Sequence, residues 1–383
     1  MNLHQTRVEE VYNFLDNNDI LLGFRKLLDC VTDTQNMLIY QKAIELTDWK
    51  ETHPNEIVEL IKRSKELLND VKQQKVVETS REIPVLNARD ICKTYGFSKF
   101  ALGPVSVQIN KGQVYGLVGE NGNGKTTLLR ILAKEISYNQ GTLDFNFNIK
   151  ANSDYDLRTK LIYIPQRTER WYGSLKDNLK FVLANYGTKP EEIETRVLLM
   201  IARLGLWKYK HLQWNELSSG YKMRFELART LLRKPEILLL DEPLANLDVL
   251  AQQVILEDLK AIANSVNNPI ALILSSQQLF EVEKMSDKVI FLKNGRYKEN
   301  AEQEILEATD LIIELDTKAT REQLQEVFAE LGLQKMIFNG GIYVVYFDSK
   351  TEFHDVIFTL GKSKTPLTYI RNISTSTRRF FMN

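Results

Sequence analysis

Residues 114–132 leave the chain little freedom. Val114-Tyr115-Gly116-Leu117-Val118 is an apolar run of strand length, Gly119-Glu120-Asn121-Gly122-Asn123-Gly124-Lys125-Thr126-Thr127 follows at once, and Leu128-Leu129-Arg130-Ile131-Leu132 reads as a helix. A strand, a glycine loop and a helix in that order are the setting in which G-x-x-x-x-G-K-[ST] is a phosphate-binding loop. Its glycines let backbone N–H groups converge on phosphate without side chains in the way, and the helix N-terminus adds partial positive charge. Lys125 is placed to reach the β- and γ-phosphates, and Thr126 to offer a hydroxyl to Mg²⁺.

The second landmark is Ile237-Leu238-Leu239-Leu240, a buried-strand run ending in Asp241-Glu242-Pro243. Two carboxylates at the tip of a central strand beside a phosphate loop would divide the work of nucleotide hydrolysis. Asp241 would hold Mg²⁺, directly or through water, together with Thr126, and Glu242 would be the general base that orients and polarises the attacking water.

Around these landmarks the 383 residues are enough for two or three domains. Lys and Arg number 50 and so do Asp and Glu, so no net field steers the chain to nucleic acid or an anionic membrane. Cys30 and Cys92 fall in what read as different domains, which argues against a disulfide framework or a metal cluster and for a reducing compartment. Met1 to Arg7 contain no apolar leader, and the longest apolar runs, such as Ile270 to Leu274, are far too short to span a bilayer, so the reading is a cytoplasmic protein.

Taken in order, residues from about 6 to 72 read as four amphipathic helices, the first capped by Thr6 with Glu9 and the last started near Pro54. Nothing in them looks catalytic, and a packing or docking module is expected. Lys72 to Glu82 lose the apolar period and read as a linker. Strands are expected at Val85–Ile91, Val105–Ile109, Lys160–Ile164, Ala271–Ser276 and Lys288–Leu292, with helices from about 174 to 205. From about 309 the pattern is β-α-β-β-α-β, with Asn339-Gly340-Gly341 turning the middle hairpin, which matches a ferredoxin-like unit. The expected domains are a helical one over 1–80, an α/β nucleotide-binding one over 81–305 and an α+β one over 306–383.

The motifs, in their order, resemble those of the nucleotide-binding domain of ATP-binding cassette (ABC) proteins, over residues from about 85 to 300. The resemblance implies a P-loop NTPase fold, ATP and Mg²⁺ as ligands, and roles for single residues. Gly119, Asn121, Gly122, Asn123, Gly124, Lys125, Thr126 and Thr127 would surround the phosphates. Tyr95 matches the aromatic on which adenine stacks. Gln166, after Tyr163-Ile164-Pro165, matches the glutamine that reaches metal and attacking water, and the Trp171-Tyr172 pair falls in the segment that borders the groove for a membrane partner's coupling helix. Leu217-Ser218-Ser219-Gly220-Tyr221 resembles the signature Leu-Ser-Gly-Gly-Gln, with Ser219 and Tyr221 as departures. In the family Ser218, Ser219 and Gly220 would cap ATP held by a second copy of the chain, and Asn246-Leu247-Asp248 matches the loop that couples the two sites. Where the family has its switch histidine, this chain has Gln277, and none of its four histidines lies nearby. An amide donates a hydrogen bond but cannot shuttle a proton, so slower hydrolysis is expected.

These implications favour the ATP-hydrolysing subunit of an ABC transporter, of exporter type, which dimerises on ATP and works on a separately encoded permease at the cytoplasmic face of the membrane. The alternative is a soluble ABC ATPase acting as a mechanical or regulatory switch without a permease. Translational members carry two cassettes in one chain, repair members carry long coiled coils, and the zero net charge argues against a nucleic-acid partner.

Overall fold

The structure, a computed structural model, describes residues 2–96, 101–147, 153–245, 247–277, 282, 285–297, 311–339 and 341–374. The first 72 residues form four helices, each with buried apolar side chains along one side: α1 (Leu3–Asp16), α2 (Ile20–Asp33), α3 (Met37–Thr52) and α4 (Ile57–Lys72). Three of them start on a side chain that accepts a backbone N–H, from Asn2, Asp19 and Asn36. The first cap is therefore Asn2, in a reciprocal box with Gln5, and not Thr6, whose hydroxyl donates to the Asn2 carbonyl from inside the helix. Asn is at least as good a cap as Thr, and the glutamine three residues on completes the box. Val8, Val11, Leu15, Leu27, Leu28, Val31, Leu68 and Val71 on these helices are almost fully buried.

Two sheets follow. β1 (Pro84–Thr94) pairs antiparallel with β2 (Ala101–Asn110) and with β4 (Gln140–Phe145). The second sheet holds the glycine-loop strand β3 (Val114–Val118) and runs β5 (Leu161–Ile164), β6 (Ile237–Leu240), β7 (Ala271–Ser276), β3, β8 (Lys288–Lys293), β9 (Arg296–Tyr297), parallel except for the last hairpin. Its inner strands are buried along their whole length and apolar except for the serines that end β7, as expected for parallel strands covered on both faces. α5 (Lys125–Leu132) buries Leu128, Leu129, Ile131 and Leu132 in one core with Ile91 and Val105 of the first sheet and Leu117, Leu239, Ile273 and Ile290 of the second. That core fixes the helix, and with it the glycine loop. α6 (Asp154–Lys160) leads into β5, while α7 (Leu175–Asn185), α8 (Pro190–Arg203), α9 (Ser219–Leu231) and α10 (Val249–Ala263) complete the layer.

The N-terminal helices dock on this layer through charge as well as apolar contact. Arg203 of α8 donates to Asp29 of α2 at 2.8 Å, and both are buried. Arg25 reaches Asp258 and Glu257 of α10, and its guanidinium also donates to the Val254 carbonyl at 3.0 Å. Asp33 pairs with Arg7 at 2.8 Å and accepts from Ser265 Oγ at 2.6 Å and from the Val266 amide at 3.1 Å. Unpaired buried charges are costly, so these pairs fix where the bundle sits. The polar segment after α4 is pinned as well: the Thr79 amide donates to Val266 O at 3.0 Å.

The chain divides into two compact units, the first running to residue 277 and taking in 285–297. The described part of the second consists of β10 (Leu311–Thr317), α11 (Arg321–Val327), β11 (Leu333–Asn339), β12 (Ile342–Phe347), α12 (Phe353–Lys362) and β13 (Leu367–Asn372). Its antiparallel sheet has the order β11-β12-β10-β13, the ferredoxin-like order expected from the sequence. Ile313, Leu315, Val345 and Phe347 pack against Leu324, Phe328, Val356 and Leu360. Gly340, expected in the hairpin turn, lies outside the described residues. Among those residues no helix is long and apolar enough to cross a membrane.

Candidate functional site

At the C-terminal ends of β3, β6 and β7 the sequence landmarks converge. Gly124 caps α5 with φ +95°, a conformation that favours glycine, and a Cβ at Gly119 would stand 2.5 Å from the Leu292 carbonyl oxygen. The loop thus lies tight against β8 and borders a cavity of about 310 Å³. Asn121, Gly122, Gly124, Lys125, Thr126, Thr127, Gln166, Glu242 and Gln277 line that cavity. Residues from four separate stretches of sequence therefore share one space.

Lys125 is buried, and its ammonium donates to the Gly119 and Glu120 carbonyls at 2.7 and 3.4 Å and lies 3.5 Å from Glu242 Oε1. A cation so held at the floor of a loop of amides suits a phosphate chain. Asn121 donates to Gln277 Oε1 at 3.3 Å, which joins the glycine loop to the end of β7.

β6 does not adjoin β3. β7 lies between them, and its Ser275 bridges the acidic pair. Ser275 Oγ donates to Asp241 Oδ1 at 2.7 Å and accepts from the Glu242 amide at 2.9 Å, and it is fully buried. Tyr163 on β5 donates to Asp241 Oδ2 at 3.2 Å. Burial first, and then the adjoining Asp241 carboxylate, push the Tyr163 phenol far up, so it stays a donor. Glu242 itself has φ +49°, a left-handed conformation that costs a side-chain-bearing residue on the order of 1–2 kcal/mol. Ser275 and Tyr163 were not singled out in the sequence. Their only signal was polarity at the ends of two otherwise apolar strands.

Mg²⁺ fits this donor set. The Thr126 hydroxyl and the Gln166 amide line the cavity as hard oxygen donors, and Asp241, buried and outside that lining, keeps on each oxygen a lone pair beyond the bond it accepts. Among the described residues no group of three His, Cys, Asp or Glu side chains forms a metal cage, so the ion would share phosphate and water oxygens.

Other expected site residues lie elsewhere. Asn123 turns its side chain to the Asn294 amide, at 3.1 Å, and not into the cavity. Tyr95 is 43% exposed beneath the Lys93 ammonium and does not line the cavity. Ser218 caps α9 and Asp248 caps α10, and Gly220 packs near Ala251 and Leu247, so these two helix starts adjoin each other, and neither lines the phosphate-loop cavity. Tyr221, in place of the signature glutamine, packs its ring against Tyr209, tilted by 37° with centroids 4.0 Å apart, and donates to the Tyr209 hydroxyl or accepts from it at 2.9 Å. Asn246 lies outside the described residues. Tyr172 is 79% exposed, and Trp171 stacks under the Arg229 guanidinium at 4.0 Å.

A parallel sheet whose phosphate loop and acidic strand face one cavity defines the P-loop ATPase class. Residues 102–245 match the ABC transporter family. An uncharacterized ABC transporter ATP-binding protein of Methanocaldococcus jannaschii is 30% identical over 217 residues, which are 56% of this chain and 76% of that protein. The spermidine/putrescine import ATP-binding protein PotA of Mycoplasma mycoides is 31% identical over 211 residues, 55% of this chain and 59% of its own length. The structure of cbiO1 from Clostridium perfringens, part of the ABC transporter complex cbiONQ, aligns with TM-score 0.51 and 25% identity over 57% of this chain and 88% of that one. The chain belongs to the ATP-binding proteins of ABC transporters, and its α/β domain is an ATP-binding ATPase domain. The fold and enzyme class expected from the motifs are those found.

Proposed function

We propose that the chain is the ATP-hydrolysing subunit of an ABC exporter, dimerising on ATP to drive a separately encoded permease at the cytoplasmic face of the membrane. The observation that carries this reading is the single cavity shared by Lys125, Thr126, Gln166, Glu242 and Gln277. Lys125 and the amides of 119–127 bind the phosphate chain of ATP, and Tyr95 supports adenine. Thr126, Asp241 and Gln166 hold Mg²⁺, which when bound neutralises phosphate charge. Glu242 accepts the proton of the attacking water, at a position set by Ser275. Gln277 donates to the γ-phosphate in place of the family's histidine.

Ser218, Ser219, Gly220 and Asp248 complete the site of a second copy. Two of them, Ser218 and Asp248, cap helix N-termini that do not line their own chain's phosphate cavity, which supports that role, because helix N-termini bind phosphate. Trp171 and the exposed Tyr172 receive the permease. Residues 1–80 serve as an accessory module that braces α8 and α10, and 306–383 form a further domain. Export rests on the single cassette with its appended C-terminal unit. The similarity to an import subunit favours a second reading, the same engine on an importer. The test is steady-state ATPase activity with Mg²⁺ over a range of protein concentrations, for wild type and Glu242→Gln. Activity that rises more steeply than concentration and is lost in Glu242→Gln supports the composite-site engine, whereas turnover strictly proportional to protein or independent of Glu242 refutes it.

A further inference from the structure

A larger cleft opens where the N-terminal helices meet the cassette, with a volume of about 580 Å³. That is within the range of ~300–1,000 Å³ typical of small-molecule sites. Thr32, Gln35 and Tyr40 of the N-terminal helices form one wall, and the ends of α6, α7 and α9, one side of α8 along its length and the loops before β6 and β7 form the rest. The cleft therefore opens at the N-terminal edge of the parallel sheet, whereas the phosphate loop and Glu242 lie at its C-terminal edge. The two spaces share no lining residue.

Its charge is lopsided. Six cationic side chains line it against one carboxylate, Glu192. Two of the six are neutralised, Arg196 by Glu192 and Arg203 by Asp29, each at 2.8 Å. Lys160, Lys189, Arg233 and Lys234 have no acidic partner among the described residues. Lys189 and Lys234 stand at the solvent-exposed rim, and Lys234 is pulled below the ordinary lysine range by the protein packed around its stem and then by the Arg196 and Lys160 charges, against an opposing pull from Glu192. Arg233 lays its guanidinium 5.2 Å from the Tyr186 ring centre, and its Nε is buried without a hydrogen-bond partner. Like charges gathered around one partly desolvated space repel one another, and a multivalent anion relieves that cost. Leu199 and Met200 give the cleft an apolar floor that suits an organic body behind the anionic group.

We propose that this cleft is a second ligand site, separate from the ATP site, for a phosphate-bearing small molecule held by Lys160, Lys189, Arg233 and Lys234. The N-terminal helices supply the wall that turns a basic edge into a pocket, which gives the extension a role in binding. Inorganic pyrophosphate serves as the probe, since it carries the charge without depending on the organic part. Equilibrium dialysis of the full chain at low salt is expected to find two pyrophosphates per wild-type chain. One of these is lost or weakened by Lys125→Ala, and the other by Lys160→Glu with Lys234→Glu, about tenfold or more per cation. Raising the ionic strength should weaken the second event further. Lys160→Gln with Lys234→Gln is the milder pair should the reversals misfold, and an unchanged melting temperature shows that the fold survives. A single pyrophosphate per chain that disappears with Lys125→Ala, or two whose binding is indifferent to both substitutions in the cleft, overturns the proposal.

Discussion

Ser275→Ala is expected to lower kcat about 10- to 100-fold while leaving the KM for ATP within about threefold, an increase of roughly 1.4–2.7 kcal/mol in the activation free energy. The reasoning starts from two bonds. Removing the hydroxyl deletes a 2.7 Å charge-assisted bond to Asp241, worth about 1.5–3 kcal/mol, and a 2.9 Å bond from the Glu242 amide, worth about 1 kcal/mol. The second bond helps hold Glu242 at φ +49°, so its loss frees the backbone to relax and the carboxylate to leave its position. No side-chain bond of Ser275 runs to the glycine loop, so nucleotide affinity should change little. Stability should fall by about 2–4 kcal/mol from the same two bonds. A coupled ATPase assay separates kcat from KM, thermal melting reads stability, and Ser275→Thr, which keeps a hydroxyl, should restore most of the rate. A folded Ser275→Ala with kcat within twofold of wild type, or a defect confined to KM, would refute the reasoning.

Gln277→Ala should lower single-turnover hydrolysis by about tenfold or more through loss of a donor at the γ-phosphate, whereas Gln277→His should raise it, since imidazole can carry charge and proton. Asp29→Ala leaves Arg203 buried and unpaired and should cost about 3–5 kcal/mol in urea unfolding, while the double change to leucine at 29 and 203 should recover most of that. Burial pushes the Cys30 thiol from 9.0 up to about 12. Because the unfolded thiol ionises first, this favourable contribution is complete below about pH 9 and is lost between about pH 9 and 12, by roughly 1.4 kcal/mol per pH unit. Cys30→Ala should flatten the alkaline fall in melting temperature over that window.

How far the sequence alone reached varies with the kind of interaction. The phosphate loop and the acidic strand were legible because each is a local pattern, an apolar run broken by residues that such a run excludes unless chemistry requires them. The ferredoxin-like unit was legible for a similar reason, its alternation and turns being local. Ser275 was not, since its importance comes from β7 lying between β3 and β6, a fact of strand order and not of spacing. The docking of the first four helices was hidden too. Asp29, Asp33 and Arg25 are ordinary charges in a helical pattern, and their partners Arg203, Ser265 and Asp258 lie more than a hundred residues away. The basic cleft depends on that same docking, so no stretch of sequence announces it. Tyr221 shows the converse: the departure from the signature was visible, but its packing against Tyr209 required the fold.

The most direct test of the central claim is the mass of Glu242→Gln in solution with and without ATP, measured by sedimentation velocity. A chain whose hydrolysis is blocked but whose phosphate loop and signature segment are intact should sediment at twice the chain mass when ATP and Mg²⁺ are present and revert to the single chain when they are removed. Lys125→Ala should stay single under both conditions. A Glu242→Gln chain that binds ATP yet keeps one chain mass at every concentration would contradict the composite-site account.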